Sequence, residues 1–277
     1  MDYVTLAPGL PASSRLGFGC GSVMGRVSRR ESERAIAAAF DHGITHFDVA
    51  RAYGYGEAEA LLGAVLKGRR DRVVIASKFG LAAPSGSGAL RRLKPLAQGL
   101  VAAVPGVRPI LRSALGANVR AADRFSATAA TTSLDQSLAA LATDYLDILF
   151  LHDCDADDLT DELTAFLDAQ VAAGKIRAYG AATSLEAVAA LERRRAETML
   201  YQFANSLAFR NAETLAGGTR RFITHSPFSG ADRLGTPHRR MLEWALAQPN
   251  VAVVLCSMLD GAHLRANLAV AEARVVA

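Results

Sequence analysis

Short apolar runs alternate along the chain with longer amphipathic stretches. The apolar runs at 16–20, 44–48, 72–77, 146–151, 176–180, 199–203, 221–225 and 251–255 read as strands. Between them, apolar residues recur at helical spacing near 30–42, 57–67, 130–143, 159–173, 184–194, 211–216, 238–248 and 260–273. Gly43, Gly63, Gly174 and Gly217 fall near the ends of these helices, where glycine adopts the left-handed cap conformation cheaply. Eight strand–helix units in under 300 residues predict an α/β fold, a closed parallel (β/α)8 TIM barrel forming one domain over 1–277. A doubly wound sheet is the rival, but nothing along the chain marks a second domain. Ahead of the first barrel strand, residues 3–14 with Pro8-Gly9 at their middle predict an N-terminal β-hairpin.

One stretch breaks the rhythm. Residues 80–128 form a long interruption after the third barrel strand, and compact domains seldom hold such a connection unless it is functional or partly disordered. Within it, Leu90, Leu93, Leu96, Ala97, Leu100, Val101 and Val104 have helical spacing, and a second short helix is expected after Pro109. Residues 81–127 carry seven basic side chains against Asp123 alone, a local charge of +6 in a chain of net +4. The insert reads as a lid or pocket wall in preference to an amphipathic surface for a membrane, an anionic partner or a neighbouring subunit.

Composition narrows the setting. No segment holds 18 consecutive apolar residues, so no membrane span is expected. Met1-Asp2-Tyr3 lacks the features of a secretory signal, and Cys20, Cys154 and Cys256 have no CxxC spacing. Both points suit a reducing cytoplasm. Nucleic acid is not expected as a partner, because no motif for it appears and aromatics make up only 6% of the chain. Oligomeric state is not readable.

The chemistry concentrates at strand ends. One apolar run ends at Phe47-Asp48, with Tyr53 five residues later in a glycine-flanked loop. Two others end in Lys78 and His152. In a barrel, such positions line the mouth where active sites form. Only four of the 31 basic residues are lysines, so a lysine ending a buried strand looks chosen for its chemistry. An ammonium beside the phenol is expected to lower the Tyr53 pKa, with Asp48 holding that lysine charged and oriented. His152 is expected to bind the substrate oxygen, which completes a site for proton donation to a carbonyl.

With these residues in view, the sequence resembles the aldo-keto reductase superfamily. The resemblance rests on Leu16-Gly17-Phe18-Gly19-Cys20-Gly21, Asp48 through Gly63, Ser77-Lys78 and the run Asp144 through His152. It continues through Ala173 to Gly180, Gln202, Ser226-Pro227-Phe228 and His263 through Leu268. It implies an NADP(H)-dependent oxidoreductase that reduces a small aldehyde or ketone, or oxidises the corresponding alcohol, with NAD(H) as the alternative cofactor. The implied catalytic tetrad is Asp48, Tyr53, Lys78 and His152, with Tyr53 as general acid/base. The cofactor would be held by Gly21, Asp48, Thr183, Gln202, His225, Ser226, Phe228, His263, Arg265 and Asn267. Ala182-Thr183 stands where the family usually has Ser-Asn for the carboxamide, so Thr183 or Ser184 would take that task. His225 aligns with the aromatic that stacks on the nicotinamide. The N-terminus of the last helix would attract phosphate through its unpaired N–H groups. No tail follows that helix, which leaves part of the pocket-closing role expected of a tail to the insert.

Competing motifs are poorer. Gly19-Cys20-Gly21 with Gly25 is similar to the glycine turn of short-chain dehydrogenases, but no tyrosine here has a lysine four residues on. His152-Asp153-Cys154-Asp155 with Asp157-Asp158 lacks a distant ligand pair and reads as a solvated acidic loop, so no metal is expected. The three cysteines read as buried and inert. Two further readings stay open: a cofactor-sensing or partner-binding protein on this barrel, and repurposed non-redox chemistry at the same tetrad.

Overall fold

The structure, a computed structural model, describes residues 1–25, 27–81, 123–195, 199–215 and 220–273. Eight parallel strands close into a barrel: β3 (Leu16–Gly19), β4 (His46–Asp48), β5 (Val74–Phe79), β6 (Leu146–His152), β7 (Ile176–Ala182), β8 (Leu200–Ala204), β9 (Phe222–His225) and β10 (Val251–Cys256). They pair in chain order, and β10 returns to β3 through Val254↔Leu16 and Cys256↔Phe18. Every barrel strand lies within two residues of the run that predicted it. The antiparallel hairpin is also present, as β1 (Tyr3–Val4) paired with β2 (Ser13–Ser14).

Helices fill the outer layer: α1 (Arg29–Asp41), α2 (Ala58–Val65), α3 (Ala127–Leu141), α4 (Asp161–Ala172), α5 (Leu185–Arg195), α6 (Asn211–Thr214), α7 (Ala231–Leu234), α8 (His238–Ala247) and α9 (Gly261–Ala273). At some of them a side-chain cap sets the start. Ser28 and Glu31 form a capping box at α1, and Ser126 accepts the Ala129 N–H, starting α3 three residues before the expected 130. The one-turn α7 has no apolar repeat and was not expected. Residues 82–122, nearly all of the basic insert with its expected helices and lid role, lie outside the described residues. Among the described residues no helix is long and apolar enough to cross a membrane.

Gly63 corrects an expectation. It does not cap a helix but sits inside α2, where a Cβ would lie 2.3 Å from the Leu141 carbonyl oxygen at the end of α3. Two helices pack there through a missing side chain. Gly43 and Gly174 do follow α1 and α4 with positive φ, and Gly217 lies outside the described residues.

The core has two layers. One lies between barrel and helices; the other fills the barrel with Val74, Ile148, Phe150, Leu200, Ile223 and Leu255. Val4 and Leu10 of the hairpin segment join this inner layer and plug the N-terminal end. Ser14 stitches the plug to the barrel: its Oγ accepts the Thr45 N–H at 2.9 Å, while its own N–H donates to Thr45 Oγ1. At the same end, buried Asp147 accepts from Arg70, Arg177 and the Ile75 N–H, and both guanidinium groups lie about 4 Å from the Tyr145 ring centroid. With that end sealed, a ligand has the C-terminal end for its approach.

Candidate active site

The strand ends bring the sequence-predicted tetrad together. Asp48 ends β4, Lys78 is the penultimate residue of β5, and His152 ends β6. Lys78 is only 2% exposed, and its Nζ donates to Asp48 Oδ1 at 2.5 Å and to the Val49 carbonyl at 3.1 Å. The other Asp48 oxygen accepts from Gln202 Nε2 at 3.1 Å. Burying this ion pair is tolerable because each member keeps further partners; removing one side of such a pair costs roughly 3–5 kcal/mol.

Tyr53 starts a 3₁₀ turn, Tyr53–Gly56, just beyond β4. The Lys78 Nζ lies 5.1 Å from the Tyr53 ring centroid, close enough for its charge to act on the phenol. The His152 ring meets the Tyr53 ring edge-on, with centroids 5.9 Å apart and planes at 87°. The turn is conformationally costly. Gly54 and Tyr55 both adopt φ 59°, ψ 32°, and a Cβ at Gly54 would come within 3.0 Å of Met24 Cβ and the Val23 carbonyl. At Tyr55, which is not glycine, that left-handed geometry costs roughly 1–2 kcal/mol.

Electrostatics alter one expectation. Burial raises the Tyr53 pKa above the ordinary phenol value, and the opposing pull of Lys78 does not cancel it. The group therefore stays a protonated phenol at neutral pH. For Lys78, burial opposes the ammonium, but Asp48 and Tyr53 outweigh it and the pKa is raised. Burial, helped by Lys78, His225 and Arg124, lowers the His152 pKa to about 3, so its imidazole is neutral. Its Nδ1 is buried with no hydrogen-bond partner.

Over these residues opens a cleft of about 1090 Å³. Gly21, Thr183, Gln202, His225, Ser226 and Phe228 all line it, together with the tetrad. His263, Arg265 and Asn267 do not. They sit on α9, with His263 and Arg265 exposed and Asn267 buried. The α9 N-terminus is not free for phosphate as expected, because Asp260 Oδ1 accepts the Ala262 and His263 N–H groups at 2.7 and 3.3 Å. A carboxylate takes the position that would attract an anion. Sequence reading missed Ser22, Leu81, Asp153 and Asn211 as cleft residues. Their one signal was position, since the first three follow strand ends.

The sequence model of the Aldo/keto reductase family matches residues 15–218. The chain belongs to this family. It is 32% identical over 150 residues to a 6-dehydroglucose reductase of Agrobacterium fabrum, an alignment covering 52% of this chain and 41% of that protein. The chain thus spans less than half the length of the curated relatives it matches. Among solved structures, an aldo-keto reductase of Pseudomonas aeruginosa is 26% identical with a TM-score of 0.74, covering 99% of this chain and 96% of that one. One from Klebsiella pneumoniae, described in complex with NADPH, shares the fold at 22% identity and a TM-score of 0.66, covering 98% and 90%.

In the cleft of this family member, Thr183 Oγ1 donates to the Cys154 carbonyl at 2.5 Å, and Ser184 Oγ accepts the Ala187 N–H at the start of α5. Of the two hydroxyl protons, the Ser184 one is therefore left to donate. Gln202 Oε1 is buried without a partner. All three cysteines are buried, and burial pushes the Cys154 and Cys256 thiols to about 12 and the Cys20 thiol up as well. The acidic loop after β6 is explained by its own bonds: Asp158 accepts the Asp155 N–H, and Asp157 pairs with Arg194.

Proposed function

We propose that this aldo/keto reductase is an NADPH-dependent oxidoreductase that reduces the carbonyl of a small aldehyde or ketone, or oxidises the corresponding alcohol. The reading rests chiefly on one observation, the Tyr53 ring set 5.1 Å from the ammonium of a buried lysine that is itself held by Asp48. A bound nicotinamide cofactor supplies or accepts the hydride. As negative charge grows on the substrate oxygen, Tyr53 gives it the phenolic proton. Lys78 stabilises the phenolate that forms, and Asp48 keeps Lys78 charged and aimed. His152, neutral, orients the same oxygen by a hydrogen bond and does not serve as the acid.

The cleft suits such a cofactor. The unpartnered Gln202 Oε1 is an acceptor for an amide N–H, and the Ser184 hydroxyl is a donor for an amide oxygen, the two functions a carboxamide presents. The NADPH complex of the Klebsiella protein and the reductase name of the Agrobacterium relative point the same way.

The test is a fluorescence titration with NADPH and NADH, followed by a carbonyl panel read at the nicotinamide absorbance. Tyr53→Phe is expected to lower turnover by about 10³-fold or more while cofactor affinity stays within about threefold. Full turnover by that variant would refute the mechanism.

A further inference from the structure

Glu59 stands in the first turn of α2 and is 1% exposed. A carboxylate does not stay buried unless it is paired. One of its oxygens accepts from Arg51 Nη1 at 2.5 Å, and the other accepts from Ser77 Oγ at 2.6 Å. Arg51 lies between Asp48 and Tyr53, and Ser77 immediately precedes Lys78. Side chains alternate along a strand, so the Ser77 hydroxyl faces outward to Glu59 while the Lys78 ammonium faces into the barrel. Arg51 also donates to Gln136 of α3 at 3.2 Å, which anchors the loop to a second helix.

The Tyr53 turn carries two successive left-handed residues, so contacts from outside must hold it. We propose that Glu59 is a positioning residue for the reaction: by joining Arg51 to Ser77, it sets where the Tyr53 phenol stands relative to the Lys78 ammonium. It touches neither substrate nor cofactor. A displacement of about 1 Å between reacting groups is enough to cost on the order of 10²-fold in rate. This rests on the carbonyl-reductase reading above for its kinetic consequence, but not for its structural one.

The experiment therefore reads both in Glu59→Gln, with Ser77→Ala as a milder companion. Hydrogen exchange needs no turnover. In Glu59→Gln, amides 49–57 are expected to exchange about tenfold faster or more, with 146–152 unchanged; unchanged exchange at 49–57 overturns the latch. In the kinetic arm, kcat is expected to fall about 10- to 100-fold, with the cofactor Kd and carbonyl KM within about threefold. Ser77→Ala, which keeps the Arg51 pair, should lose less. A parallel rise in KM and Kd, or an unchanged kcat, would reduce Glu59 to a purely structural residue. Absence of any carbonyl reduction by the unmodified protein would sink the functional reading alone, and the exchange arm would still decide the latch.

Discussion

Burial holds Tyr53 and His152 in their neutral forms, and that sets the proton supply of the cleft. With its pKa raised, Tyr53 keeps its proton through neutral pH and is ready to act as an acid. His152, at about 3, has no charge to lose in the same range. Carbonyl reduction is therefore expected to show a flat kcat from about pH 5.5 to about 8, whereas alcohol oxidation, which needs phenolate, should climb with pH throughout. A limb near pH 6.5 in the reduction profile that vanishes in His152→Asn would contradict this. The tetrad was legible as polar residues at the ends of apolar runs. The direction of the Tyr53 shift was not, because sequence names neighbours such as Lys78 but does not weigh them against desolvation. Glu59 was visible too, yet as a helix-start carboxylate like many others; its partners are eight and eighteen residues away.

Apolar periodicity located every barrel strand because most strand residues are buried on both faces and read as short apolar runs. Helix ends were less legible. They depend on single caps such as Ser126, and on contacts between elements such as the one at Gly63. Glycine at that position serves the approach of α2 to α3, so Gly63→Ala is a test at the scale of elements. Alanine improves helix propensity by up to about 1 kcal/mol. Its Cβ, however, would stand 2.3–2.7 Å from Leu141 backbone atoms, which have no rotamer through which to yield. Overpacking of this kind costs roughly 1–3 kcal/mol or more, and here it should win. The expected result is a Tm lower by several degrees in a circular-dichroism melt, with the tetrad chemistry intact. A Tm that rises would mean that α2 and α3 separate freely.

For the molecule as a whole, a polar group that matters to acid stability lies at the plugged end of the barrel. The sequence predicted a hairpin before the first barrel strand but not its task, because plugging is a long-range packing of Val4 and Leu10 into the cluster that fills the barrel. His46, the first residue of β4, sits against this plug, wholly buried, with Nδ1 near Ser13 Oγ at 3.3 Å and Nε2 without a partner. Burial lowers its pKa to about 4; Asp48 and Asp147 oppose the shift, and Lys78 adds to it. The unfolded chain, with an ordinary histidine near 6.5, therefore binds more protons than the folded one between those values. Stability is complete above about 6.5, falls as the pH drops through the window, and levels off for this residue below about 4. The full swing is roughly 3 kcal/mol, and His152 adds a loss of the same sign. Urea midpoints at about pH 7.5 and about pH 4.5 measure it, converted with the fitted m-value. Whatever its cost at neutral pH, His46→Gln should lose about 2 kcal/mol less than the unmodified protein between those two conditions. Equal losses would show that the plug admits the proton without opening, and that the buried imidazole is not what acid attacks.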